Sequence, residues 1–177
     1  MSQGAAGGQD SRPGPEPSAP GAGNDPEAAD NGAADPAGHD TYDLYLRGLD
    51  LLGRGSAAAA AQLLERAAAA EPQSRSILEA LARAQFDAGQ YTAAAGNFRQ
   101  IVEASPSDDY AQFGLGLSLA RTGNPDAAAE HLALAAAMQP HLRHYTDALR
   151  SVRATLRART QAQAENPEHP QRDGGDV

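Results

Sequence analysis

The chain contains no cysteine, no tryptophan and no lysine, and its aromatic residues are five Tyr and three Phe among 177 positions. Without cysteine there is no disulfide, no thiolate metal site and no cysteine nucleophile. Long apolar runs are lacking too. No stretch of about eighteen apolar residues marks a membrane span, and neither end has the apolar core of a secretory signal. The sequence therefore reads as a soluble cytoplasmic protein. Residues 1–39 hold no Leu, Ile, Val, Phe or Tyr and are built from Gly, Ala, Pro, Asp and Ser. Such a segment has almost nothing to bury against the entropy cost of ordering. It is expected to be a disordered acidic tail, with 161–177 a second one. One domain is expected over 40–160, a comfortable size for a single cooperative unit.

Inside that domain the chain is periodic. Pro72, Pro106 and Pro140 stand 34 residues apart, and the same spacing relates Gly48, Ala82 and Gly116, then Gly55, Gly89 and Gly123, then Ala60, Ala94 and Ala128, then Leu64, Phe98 and Leu132. A fixed period of this length means tandem copies of one supersecondary unit. Leu44, Leu51, Leu78, Leu81, Phe113, Leu115 and Leu119 give the first helix of each unit an apolar stripe at three- and four-residue spacing. Small residues at the Gly48 and Ala60 registers let the two helices of a unit approach closely. The glycines at the Gly55 register suit a left-handed helix terminus. The prolines stop the second helix, since proline has no N–H for a continuing one. Ser74 and Ser107 are then expected to be N-caps, as is Asn124 ahead of Pro125 at the first helical position.

This pattern resembles the tetratricopeptide repeat over about residues 41–142, in three units at about 41–74, 75–108 and 109–142, followed by a capping helix at about 143–160. The middle unit carries the motif as Leu78, Leu81, Ala82, Phe86, Gly89, Tyr91, Ala94, Phe98, Ile101 and Pro106. It departs at Gln85, which holds the position of a large apolar residue. Arg47 in the first unit and Gln112 in the third are the other departures. The resemblance implies an all-α fold, a right-handed superhelix of three helix-turn-helix repeats, and says little about function because unrelated scaffolds share the repeat.

In that family the first helices line a concave surface. By the resemblance the lining here is Tyr42, Tyr45, Leu49 and Leu52, then Ser76, Glu79, Arg83 and Phe86, then Tyr110, Phe113 and Leu117. Some members hold a C-terminal carboxylate with Lys, Asn and Arg in this groove. The corresponding positions here are Tyr45, Leu49, Glu79, Arg83, Phe113 and Leu117, so that clamp is absent. The implied function is a non-enzymatic adaptor or chaperone-like scaffold that takes a hydrophobic peptide or helix, with Arg83 meeting an acidic group and Tyr45→Ala with Phe113→Ala abolishing binding. The competing arrangement has these aromatics packed against one another. The first helix, apolar on most sides through Leu44, Tyr45, Leu46, Leu49, Leu51 and Leu52, also suggests a homodimer through that helix.

Charge supplies the alternative. The net charge of −9 divides as −6 over residues 1–40, −4 over 41–142, +4 over 143–160 and −3 over 161–177. An acidic chain repels nucleic acid and anionic membrane as a whole. Only the basic segment, with Arg143, Arg150, Arg153 and Arg157 on a helix whose seam is Tyr145, Leu149, Val152 and Leu156, could touch nucleic acid or acidic lipid. Its simpler role is the solvating cap a repeat stack needs. Catalysis finds no support. Of His39, His131, His141, His144 and His169, only His141 and His144 have helix-neighbour spacing, and no acid completes a ligand set or relay. Asp108 and Asp109 read as helix-start acids. No cofactor or metal is implied.

Overall fold

Two turns, each used three times, generate the architecture. The computed structural model describes residues 36–165; residues 1–35 and 166–177, where most of the two expected tails falls, lie outside the described residues. Among the described residues there are seven helices, α1 (Pro36–Gly53), α2 (Ala57–Ala70), α3 (Arg75–Asp87), α4 (Tyr91–Ala104), α5 (Asp109–Arg121), α6 (Pro125–Met138) and α7 (Arg143–Glu165), and no strand. None of them is long and apolar enough to cross a membrane.

The first turn joins the helices of a pair. Gly55, Gly89 and Gly123 take φ of 78°, 78° and 82°, a region that costs other residues about 1 kcal/mol or more. That conformation lets Ser56 N–H reach the Leu51 carbonyl at 2.9 Å and Gly55 N–H the Leu52 carbonyl at 3.0 Å, and the same two bonds recur at Gln90 and Gly89, and at Asn124 and Gly123. The last carbonyls of each first helix are thereby satisfied. The second turn joins one pair to the next. Proline sits at its second position, and the N–H of its fourth residue closes it: Ser74 to Glu71, Asp108 to Ser105, Leu142 to Gln139. Proline presets the backbone angle that this position needs.

The fourth residue of that turn is the N-cap, which corrects one expectation. Asp108, not Ser107, caps α5, its carboxylate accepting from Ala111 N–H at 3.0 Å. Ser74 occupies the cap of α3 without a side-chain hydrogen bond, whereas Asn124 accepts from Ala127 N–H ahead of Pro125 as expected. Asp108 also receives Arg75 Nε at 2.7 Å, tying the starts of α3 and α5 together, and the paired carboxylate holds the Arg75 guanidinium above its ordinary pKa.

Helices pack in sequence, each on the next. Ala60, Leu64, Ala82, Ala94, Phe98, Ala128 and Leu132 are all within 2% of full burial. A Cβ at Gly48 would lie 2.6 Å from Leu64 Cγ, and one at Gly116 2.7 Å from Leu132 Cγ, so these helices meet at a distance no side chain permits. Gly114 makes a third such contact, with the Phe98 ring 2.4 Å from its would-be Cβ. This one joins units two and three. The two glutamines that depart from the repeat pattern are buried and satisfied. Gln85 accepts from Asn97 at 2.7 Å and donates to Glu65 at 3.3 Å. Gln112 donates to the Pro106 carbonyl at 3.0 Å and accepts from His131 Nδ1 at 2.7 Å. Burial holds the His131 imidazole below its ordinary pKa. No buried side-chain polar atom among the described residues lacks a partner, which removes the main cost of placing amides in a core.

Curvature follows from which helices touch. Besides contacts between successive helices, α1 meets α3, α3 meets α5 and α5 meets α7, while α2, α4 and α6 make no contact with one another. The odd-numbered helices therefore lie on the inner side of the stack. The side of α1 that no other described helix covers carries charge. Ala80, Leu81 and Ala84 of α3 are buried in a cluster with Ala60, Ala61 and Leu64 of α2; one period earlier stand Leu46, Arg47 and Asp50, all exposed, with Asp50 paired to Arg54 at 2.9 Å.

Candidate peptide-binding groove

The inner side of the stack carries two clefts that share a wall. The first, about 310 Å³, is lined by Tyr45, Leu49 and Leu52 of α1, Ser76, Glu79, Ala80 and Arg83 of α3, and Tyr110 of α5. The second, about 180 Å³, is lined by Arg83, Phe86 and Asp87 of α3, Phe98 of α4, and Tyr110, Phe113, Gly114 and Leu117 of α5. Arg83 and Tyr110 belong to both. The second cleft is mainly apolar and the first mixes apolar with polar side chains; each has one carboxylate, Glu79 in the first and Asp87 in the second, and they share the Arg83 guanidinium.

The residues are held there by the packing beneath. Tyr110 rests edge-on against Phe98, ring centres 6.1 Å apart, and Phe86 against Tyr91 at 5.2 Å. Burial pushes the Tyr110 hydroxyl pKa up, with Arg83 opposing the shift. Along α3 the charges alternate at four-residue spacing, Arg75 with Glu79 at 3.5 Å and Arg83 with Asp87 at 3.9 Å. Pairs of this kind support the helix weakly. They also mean that Arg83, expected to meet an acidic group, stands between two carboxylates of its own helix.

Ten of the eleven sequence-derived lining residues enter the two clefts. Tyr42 does not. It lies beyond Tyr45, ring centres 6.5 Å apart, and lines a third hollow of about 210 Å³ together with Glu71, Ser74, Ser76 and Ile77. Tyr42 is 59% exposed and Leu46 44% exposed, so the first helix offers two apolar side chains to solvent on a surface otherwise charged by Asp43, Arg47 and Asp50. Phe113 has a second duty. It stacks on Tyr145 of α7 at 4.3 Å and meets His144 edge-on at 5.2 Å. Tyr145 is fixed in turn by its hydroxyl, which donates to Asp109 at 2.9 Å; burial first and that bond second raise its pKa. Sequence reasoning missed Ala80, Asp87, Phe98 and Gly114. Asp87 was the one with a visible signal, four residues after Arg83 on the same helix.

Arg143, Arg150, Arg153 and Arg157 are all exposed on α7. Arg150 is paired with Asp147 at 2.5 Å, and the neighbouring Arg159 approaches Asp126 at 3.9 Å. Tyr145 and Val152 on the opposite side are buried against the stack.

An array of paired helices with an inner apolar groove defines a helical-repeat protein. The tetratricopeptide repeat model matches residues 45–109 and again 79–143, and the chain belongs to that family. No curated protein matches it by sequence. Solved structures share the fold. The first such domain of Spaghetti (RPAP3), bound to the HSP90 peptide SRMEEVD, superposes with a TM-score of 0.62 at 17% identity over 67% of this chain and 94% of that one. The second domain of human RPAP3, in complex with the HSP70 peptide SGPTIEEVD, gives 0.61 at 16% identity over 66% and 98%. The C-terminal domain of a Plasmodium falciparum putative FK506-binding protein gives 0.66 at 14% identity over 71% and 93%.

Proposed function

We propose that this protein is a non-enzymatic adaptor that holds an apolar segment of another protein, a peptide or a helix, against the inner faces of α1, α3 and α5. The observation that carries the reading is the pair of adjoining clefts joined at Arg83 and Tyr110. Two adjoining hollows, one mainly apolar and one lined by Tyr45, Leu49 and Leu52 beside polar groups, accept two anchor side chains of one ligand, and such anchors supply most of the affinity in helix-in-groove recognition. Structural relatives that bind peptides support a protein partner in general. The ligand differs from theirs, because Tyr45, Leu49, Phe113 and Leu117 stand where a carboxylate clamp needs polar donors.

The test is a pair of substitutions in the first cleft. Tyr45→Ala with Leu49→Ala is expected to keep the circular dichroism spectrum and lose the partners recovered by affinity purification. Recovery of the same partners by the double variant would sink the proposal. Phe113 is left out because its stacking on Tyr145 couples it to α7; Tyr45 and Leu49 pack in part on the α2–α3 core, so a thermal melt of the variant accompanies the purification. The arginine face of α7 is tested in the same purification: binding that disappears with Arg150, Arg153 and Arg157 and with rising salt, but survives the cleft substitutions, assigns recognition to that helix.

A further inference from the structure

The sign of the partner's charge follows from the way the two clefts divide three ionic groups, an inference that rests on the groove reading above. Each cleft has one carboxylate, Glu79 or Asp87, and both share one guanidinium, Arg83. Arg83 is flanked four residues away on either side and approaches Asp87 at 3.9 Å, while Arg75, the next cation along α3, is held chiefly by Asp108. An acidic ligand group arriving at Arg83 would face Glu79 and Asp87 together. A cation arriving at the end of either cleft away from Arg83 meets a carboxylate and is attracted to it.

We infer that the groove selects a segment with two apolar anchors, each accompanied by a Lys or Arg. Eight residues separate Glu79 from Asp87 along α3, about 12 Å at the rise of an α-helix. Two cations about eight residues apart on a bound helix, or about four apart on an extended chain, match that spacing.

The experiment uses the full chain and three synthetic amphipathic helices of about eighteen residues. They share one Leu and Phe face and differ only in having Lys, Gln or Glu at two flanking positions about eight residues apart. Fluorescence anisotropy at low salt is expected to rank them Lys, Gln, Glu, with about tenfold between the first and last and a gap that closes as ionic strength rises. Glu79→Gln with Asp87→Asn should abolish the preference, bringing the Lys and Glu peptides to the same affinity. Equal or tighter binding of the Glu peptide overturns the inference, as does a Lys preference that persists in the double variant, since the net charge of −9 then accounts for it. The groove reading fails separately, and takes the inference with it, if none of the peptides binds or if Tyr45→Ala with Leu49→Ala leaves all three affinities unchanged.

Discussion

Asp108 does two jobs with two oxygens, so its substitutions separate them. Asp108→Ala removes the α5 cap and the Arg75 bond together and is expected to cost about 1–2 kcal/mol in urea unfolding. Asp108→Asn keeps an acceptor for Ala111 N–H and loses mainly an ion pair whose arginine is largely exposed, so its cost should stay below about 1 kcal/mol. Glycines separate in the same manner. Gly114→Ala drives a methyl into the Phe98 ring and is expected to cost about 1–3 kcal/mol, whereas Gly96→Ala in α4, with open space around it, should stabilise by about 0.5–1 kcal/mol. Asp108 was legible in principle, because Ser74 stands two places after Pro72 as Asp108 does after Pro106, and position in the turn outranks the chemistry of the adjacent Ser107. Gln85 and Gln112 were not legible as satisfied groups. Their partners Glu65 and Asn97, and Pro106 and His131, are brought together only by folding.

At the scale of elements, α7 completes the array by packing on α6 and α5. The 34-residue register runs on into it: Tyr145 follows Ala111, and Leu149 follows Leu115, which is why it packs as another first helix. Removing everything from Arg143 onward uncovers α6 and the Phe113 ring. The shortened chain is expected to aggregate or to melt at a clearly lower temperature, and an unchanged melting curve with a monomeric elution profile would contradict this. Tyr145→Phe is milder, losing the hydroxyl bond to Asp109 at about 1 kcal/mol. The same residue sets an alkaline limit. Its folded pKa is raised above the unfolded value near 10, so the folded state holds the phenolic proton more tightly; the corresponding stability is complete below about pH 10 and is lost as pH climbs through the folded pKa. Thermal melts from pH 9 upward should therefore fall more steeply for the native chain than for Tyr145→Phe.

For the whole molecule, the sequence made the fold plain because every turn residue, small contact residue and apolar stripe repeated at one interval, so local signals agreed with the global pattern. The inner surface was readable only as a set of positions. Its division into two clefts depends on Tyr110 settling on Phe98 over Gly114, and its electrostatics depend on Asp87, a residue outside the repeat motif. Phe113 shows the limit most clearly: its register assigned it to the groove, and nothing in unit three alone announced the ring of Tyr145 that it stacks upon.

The charged outer side of α1 acts as a terminator. Arg47 and Asp50 stand where their counterparts in α3, Leu81 and Ala84, pack on a preceding second helix, so α1 carries charge where stacking of a further pair needs apolar contact. Exchanging them for Leu and Ala while deleting α7 would leave an adhesive α1 at one end and a bare α6 at the other. Such molecules should join head to tail into open fibres visible by electron microscopy. Two residues and one helix thus hold a polymerisable motif at finite length.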